Sequence, residues 1–471
     1  MEHKHYDRRS FLGKLGLGCA SIGATSLLSG ITNMGLVNAA AIANQPLYAP
    51  KNDYKALVCI LLSGGNDSYN MLIPKGNNEY ADYANVRTNL AIPQNELLPI
   101  NPTNSDGKTY GLHPNLGKMK TLFDNEQLGF VANIGTLVEP TTLSSFNRKT
   151  KLPLGLFSHS DQRNHWQTSL PQSRNVNGWG GRLADILYTT NANQAISMNI
   201  SLDGINLFQQ GKNINSYIVN PKDKGAVLLN QSDNKGFYQT LKRQTLDSLL
   251  ETEYTNILQK AYNSTIINSK SNSFEFNAAL ANGKPIVNTS FGEDKLSERL
   301  SMVAKTIAAK DALNVNRQTF FVQLGGFDTH DDFLLDHGIL MTELANALSS
   351  FNDALIELGL ENQVTTFTIS DFARKLVSNG NGSDHAWGGN AIVMGGAVKG
   401  KEIYGHYPDL YLGNTLDAGT GRIIPTTSCD EYFAELALWF GASSGDLHHI
   451  LPNITNFWTP VSNSYPIGFM S

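Results

Sequence analysis

From residue 56 to residue 62 the chain runs seven apolar residues without a break, then turns into Ser63-Gly64-Gly65-Asn66-Asp67. Successive strand side chains point to opposite faces, so an uninterrupted apolar run closed by glycines predicts a strand covered on both sides, as in parallel sheets flanked by helices. Comparable runs recur at residues 128–134, 319–324, 364–369 and 391–394. Between the runs at 319 and 364, residues 332–358 place Leu344, Leu348, Phe351 and Leu355 at steps of four, three and four, which is one face of a helix. Leu296, Leu300, Val303 and Ile307 repeat that spacing upstream, after Gly292-Glu293-Asp294. Strand, helix, strand is the crossover unit of a parallel sheet. The expected class is therefore α/β, a mostly parallel sheet with helices on both faces. Residues 190–290, rich in Asn, Ser, Gln and Lys with irregular apolar spacing, read as an inserted cap of mixed structure.

Composition changes this picture little: 41% hydrophobic and 16% charged residues suit one large folded core in a chain of 471. Charge excludes one class of partner, because a net −5 with no cluster of Lys and Arg cannot neutralise a row of phosphates, and no nucleic acid is expected. The first residues add an address. Asp7-Arg8-Arg9-Ser10-Phe11-Leu12-Gly13-Lys14 precedes an uncharged, Gly- and Ala-rich stretch from 15 to 50, with small-residue cleavage sites such as Ala39-Ala40-Ala41 and Ala41-Ile42-Ala43. This resembles a twin-arginine export signal, residues 1–43, ahead of a folded domain, 44–471, destined for the periplasm or cell envelope by way of the twin-arginine machinery. The same stretch is long enough for an uncleaved anchor of ~20 residues, the one membrane contact expected, although its Gly, Ser, Thr and Asn content weakens it as a spanning helix. Beyond the signal only Cys59 and Cys429 remain, and no disulfide is required.

The chemistry is suggested by position. Asp67 follows the first strand, Asp328 and His330 follow the strand at 319, Asp371 follows the strand at 364, and His385 lies just beyond in Gly382-Ser383-Asp384-His385. One Asp after a strand is ordinarily a turn former or helix cap. Their recurrence at the same end of successive strands, where open α/β sheets hold ligands, points to a site. Carboxylate oxygen with imidazole nitrogen suits a divalent metal, zinc foremost, with calcium, manganese or iron as alternatives. His113 and His159 could line such a pocket or serve as structural donors, and Trp387 reads as packing.

The order GGND, FSHSDQ, GGFDTH, SDFAR, GSDHAWGG and MGGAVKG, covering about residues 56–408, resembles the bacterial domain-of-unknown-function family DUF1501, which looks like a branch of the alkaline phosphatase and sulfatase superfamily. The resemblance implies an alkaline-phosphatase-like fold and a metal-dependent hydrolase or transferase of phosphate, sulfate or related anionic esters, with an anionic ester or glycan as substrate. It implies metal ligation by Asp328, His330 and His385, and a second cation beside Asp67 and Asp371, although Phe372 stands where the superfamily has a second-site His. It implies a nucleophile at a helix N-terminus, for which Ser158 is the candidate and Ser160 the reserve, and an anion-pairing role for Arg374. No Cys/Ser-x-Pro-x-Arg motif is present, which places sulfatase activity below phosphatase-like chemistry. The other expectation is a non-catalytic envelope module that binds a glycan, metal or protein on the same scaffold.

Overall fold

Ala56, Val58, Ile60 and Leu62 point into one apolar layer, and Leu57, Cys59 and Leu61 into another, so the first strand is buried on both faces. The computed structural model describes residues 53–104, 106–222, 225–226, 236–286 and 288–471. The arginine-pair segment lies outside the described residues.

One sheet contains β1 (Lys55–Ser63), β2 (Leu128–Gly135), β3 (Asn199–Ser201), β4 (Tyr217–Ile218), β5 (Arg317–Gly325), β6 (Val364–Ser370), β7 (Gly389–Met394), β8 (Ile403–Gly405) and β9 (Thr427–Ser428). Across the sheet the order is β8-β2-β7-β6-β1-β5-β3-β4, with β9 also paired to β2. Neighbours are parallel throughout except at β7, which runs antiparallel to both β2 and β6. All five predicted apolar runs are strands of this sheet. The reversal of β7 has a positional effect: its N-terminal end, and the residues just before it, lie at the rim where its neighbours end.

Helices cover both faces. Those used below are α1 (Asn77–Arg87), α2 (His159–Thr168), α3 (Lys295–Ala308), α4 (Phe333–Leu358) and α5 (Cys429–Phe440). α3 starts at Asp294, whose carboxylate accepts the Ser297 N–H at 2.8 Å, and α4 stops at Gly359 with φ +72°. Leu296, Leu300, Val303 and Ile307 of α3, with Leu344, Leu348, Phe351 and Leu355 of α4, pack against the Ala56 side of β1. Tyr432, Phe433, Leu436 and Phe440 of α5 pack against the Leu57 side. Each such side chain removed fully from water contributes about 1.5–3 kcal/mol.

The segment 190–290 is of two kinds. Its first part supplies β3 and β4, which extend the main sheet beyond β5. Its second part forms two helices, Phe237–Glu251 and Ile257–Ala281, and described residues 236–274 fall in a separate compact unit. Within that unit Lys270 pairs with Asp247 at 2.7 Å, and the Asn263 side-chain amide donates to the Leu250 carbonyl at 2.9 Å. Cys59 and Cys429 are both buried free thiols. Among the described residues no helix is long and apolar enough to cross a membrane.

Candidate metal centre

Two glycines allow the strand-end loops to close on one another. Gly64 and Gly65 leave β1 with φ of +114° and +87°, which side chains with a Cβ rarely adopt. A Cβ on Gly64 would stand 2.4 Å from the Asp328 backbone nitrogen, and one on Gly65 would stand 2.6 Å from the Phe372 ring. The turn after β1 is thus pressed against the loops after β5 and β6. Gly64→Ala is expected to cost about 1–3 kcal/mol in backbone strain and to displace Asp328. Zinc titration alongside thermal denaturation checks this: affinity should fall even at temperatures where the variant is fully folded.

Three elements deliver a common set of donors. Asp328 comes from the loop after β5. His159 is the first residue of α2, behind its N-cap Ser158. His385 ends the antiparallel hairpin of Arg374–Ser378 and Ser383–His385 that leads into β7. Ligand atoms of His159, Asp328 and His385 all lie within 4.8 Å of one another. His159 Nε2 is 3.0 Å from His385 Nε2 and 3.4 Å from Asp328 Oδ1, and His385 Nε2 is 3.7 Å from that oxygen.

The second nitrogen of each ring determines what the cluster can bind. His159 Nδ1 lies 2.7 Å from Asp371 Oδ2, and His385 Nδ1 lies 2.8 Å from the Phe157 carbonyl oxygen. Carboxylates and carbonyls only accept, so each Nδ1 carries the hydrogen and each Nε2 presents a lone pair. Two lone pairs that face each other at 3.0 Å are satisfied by a metal ion or by a shared proton between them. Burial, with the neighbouring His159 and Arg374, holds the His385 pKa below the usual histidine value against the pull of the Phe157 carbonyl. Zinc–nitrogen bonds of about 2.0–2.1 Å place tetrahedral ligand atoms roughly 3.3 Å apart, and the donor set has that spacing. The residues fit a zinc-like ion.

The surrounding groups orient these donors. Arg374, fully buried, donates through Nη2 to Asp328 Oδ1 at 2.6 Å and to the Phe327 carbonyl at 3.2 Å. Burial would raise the Asp328 pKa, but Arg374 outweighs it and holds the carboxyl below the ordinary value. Asp371 is the reverse case: burial pushes its carboxyl up, against His159 and Arg163. His330 Nε2 sits 3.0 Å from Asp328 Oδ1 and 3.2 Å from His385 Nε2, and its side chain is 43% exposed against 26% and 27% for His159 and His385. Phe372 packs against both inner imidazoles, its ring centroid 4.7 Å from that of His159 and 4.6 Å from that of His385.

Of the residues singled out from sequence, Asp328, His330, Asp371, Arg374 and His385 meet here. Asp67 is engaged elsewhere: it is fully buried, and its Oδ2 receives Arg87 Nη2 at 2.5 Å and Ser383 Oγ at 3.3 Å. Ser158 Oγ caps α2 through a long 3.5 Å contact from the Asp161 N–H and lies 3.0 Å from Ser160 Oγ. Trp387 is buried and donates to the Thr136 carbonyl at 2.8 Å. His113 is buried beside His337, ring centroids 5.6 Å apart, where burial pushes its pKa down to about 4. His159 is the donor that strand-end reasoning weighed as a structural residue, because no apolar run precedes it; its signal was its place in FSHSDQ, one residue after a helix cap.

The model of a family described as "Protein of unknown function (DUF1501)" matches residues 54–415. No curated protein matches the chain. Similar solved structures include the soluble domain of lipooligosaccharide phosphoethanolamine transferase A from Neisseria meningitidis, 10% identical, covering 90% of this chain and 95% of that one with a TM-score of 0.34. The alkaline phosphatase from the Antarctic bacterium TAB5 is 10% identical over 76% of this chain and 94% of that one, TM-score 0.22. BT1596, a 2-O GAG sulfatase, is 8% identical over 74% of this chain and 66% of that one, TM-score 0.27.

Proposed function

The chain belongs to the DUF1501 family, and from the donors gathered at its strand ends we propose that it is an exported, metal-dependent hydrolase or transferase of phosphate, sulfate or related anionic esters. The observation that carries this is the pair of lone-pair nitrogens, His159 Nε2 and His385 Nε2, held 3.0 Å apart beside Asp328. His159, Asp328 and His385 would hold the ion, zinc first. Such an ion, when bound, polarises an ester oxygen and lowers the pKa of bound water.

The chain's own residues do the rest. Asp371 and the Phe157 carbonyl lock the tautomers and ring planes of the two inner histidines. Arg374 orients Asp328. His330, the most exposed of the three imidazoles and 3.0 Å from Asp328 Oδ1, is either a further ligand of the ion or the group that carries a proton to or from the departing oxygen. Ser158 remains the candidate nucleophile, since it adjoins His159 and its capping contact is a weak 3.5 Å. The arginine pair Arg8-Arg9 and the uncharged stretch behind it support export to the periplasm or envelope.

The test is metal analysis of protein purified from its native compartment, then turnover of aryl phosphate and aryl sulfate esters. Bound metal with metal-dependent turnover is expected. Stoichiometric metal with no turnover of either ester would move the reading to a non-catalytic binding module, and absence of metal would overturn it. Asp371→Asn leaves the fold but loosens His159, so zinc affinity by chelator competition should fall ~10–100-fold, the usual effect of losing an outer hydrogen-bond partner.

A further inference from the structure

An ester site of the kind proposed needs groups that receive the substrate's negative charge, and the metal donors alone do not supply them; any such assignment rests on the ester reading. Three guanidinium groups stand around the cluster. Arg374 is already engaged, with Asp328 and the Phe327 carbonyl. Arg163, one turn beyond His159 on α2, reaches only loosely toward Asp371, Nε to Oδ2 3.7 Å.

Arg422 differs from both. Its Nε donates to the backbone carbonyl of His385 at 3.1 Å, and its guanidinium lies over the Phe157 ring, 5.0 Å from the centroid. Phe157 is the residue whose carbonyl fixes His385. Nη1 reaches Thr420 Oγ1 at 3.1 Å and the Gly419 carbonyl at 3.5 Å. Every one of these partners is neutral. Among the described residues no carboxylate pairs with Arg422, and its Nη2 makes no hydrogen bond.

A half-buried guanidinium, stacked on an aromatic ring and anchored to the backbone of a metal-ligand candidate, has uncompensated charge and a preset plane. Those are the two properties that recognition of a tetrahedral oxyanion requires. Arg422 is joined to the metal-donor set through the His385 backbone and the Phe157 ring, and it carries a charge that no carboxylate among the described residues pairs with. We infer that Arg422, assisted by Arg163, binds the non-bridging oxygens of the substrate's phosphate or sulfate group. Arg422 lies beyond residues 54–415 that the family model matches.

Calorimetry on the full-length, zinc-loaded chain tests this with inorganic phosphate and inorganic sulfate as separate probes. Arg422→Met should weaken oxyanion binding roughly 10–100-fold, the value of a hydrogen bond to a charged group, while zinc content per chain stays at the wild-type level. Arg422→Lys, which keeps charge but loses the planar fork, should fall between the two and serves if the Met variant does not fold. Whichever anion shows the larger loss identifies the ester class. Wild-type chain that binds neither anion, or Arg422→Met and Arg422→Lys that bind both as tightly as wild type, overturns the inference. If the wild type holds no zinc, the metal-centre reading fails separately, and the same comparison on the metal-free chain still decides the role of Arg422.

Discussion

His385→Ala is expected to strip the chain of stoichiometric metal and of any metal-dependent turnover. The residue supplies one of two imidazole nitrogens held 3.0 Å apart, and its other nitrogen is pinned by the Phe157 carbonyl, so its loss removes a donor oriented from both sides. His330 Nε2, 3.0 Å from Asp328 Oδ1, is the nearest other imidazole and is the more exposed, so the double variant His385→Ala with His330→Ala should retain no more metal than His385→Ala alone. The loss should exceed the ~10–100-fold that an outer partner contributes. Metal content by mass spectrometry, together with ester turnover, checks it. Full metal retention in both His385→Ala and His159→Ala would remove the proposed centre.

Arg87→Met carries the second large effect, and it falls on stability. Arg87 Nη2 and Asp67 Oδ2 are 2.5 Å apart with both side chains wholly inaccessible to solvent. Arg87 Nη1 also donates to the carbonyls of Lys375 and Leu376 at 2.9 and 3.2 Å, while Asp67 accepts from Ser383 Oγ at 3.3 Å. The pair therefore ties the last residue of α1 to both strands of the hairpin that bears Arg374 and His385. Removing the guanidinium leaves a buried carboxylate without a counter-charge, at about 3–5 kcal/mol. Urea denaturation measures this directly. A loss under about 1 kcal/mol would mean that water reaches Asp67, whereas Arg87→Met combined with Asp67→Leu should regain much of the deficit, because an apolar pair needs no compensation.

These two pairings also show where sequence reasoning reached and where it stopped. The five long strands were legible because burial on both faces leaves an unbroken apolar run, and α3 and α4 because one buried face leaves a period of three and four. β3 was not: Asn199 is buried there, with its amide donating to the Gln209 carbonyl at 3.0 Å and its carbonyl oxygen accepting from Thr319 Oγ1 at 2.8 Å, so polar side chains bonded to each other replace the apolar signal. The direction of β7 was equally hidden, since an apolar run has no polarity.

At the site, Asp67, Asp328 and Asp371 look alike in sequence, each standing after a strand. What separates them is the partner each meets in space: Arg87 for Asp67, Arg374 for Asp328, and the ring of His159 for Asp371. None of those partners is a sequence neighbour. Arg422 lay past the last recognisable motif, and only folding brings it to His385.

The reversal of β7 bears on the order in which the protein matures. Because that strand enters the sheet against its neighbours, the imidazole of His385 arrives at the rim from the start of a strand that is among the later parts of the sheet to leave the ribosome. The donors are not gathered in a partly made chain, so under the proposed reading ion capture would be coupled to completion of the sheet, and a bound ion would stabilise the whole chain according to its free concentration over its Kd, less any binding to the unfolded chain.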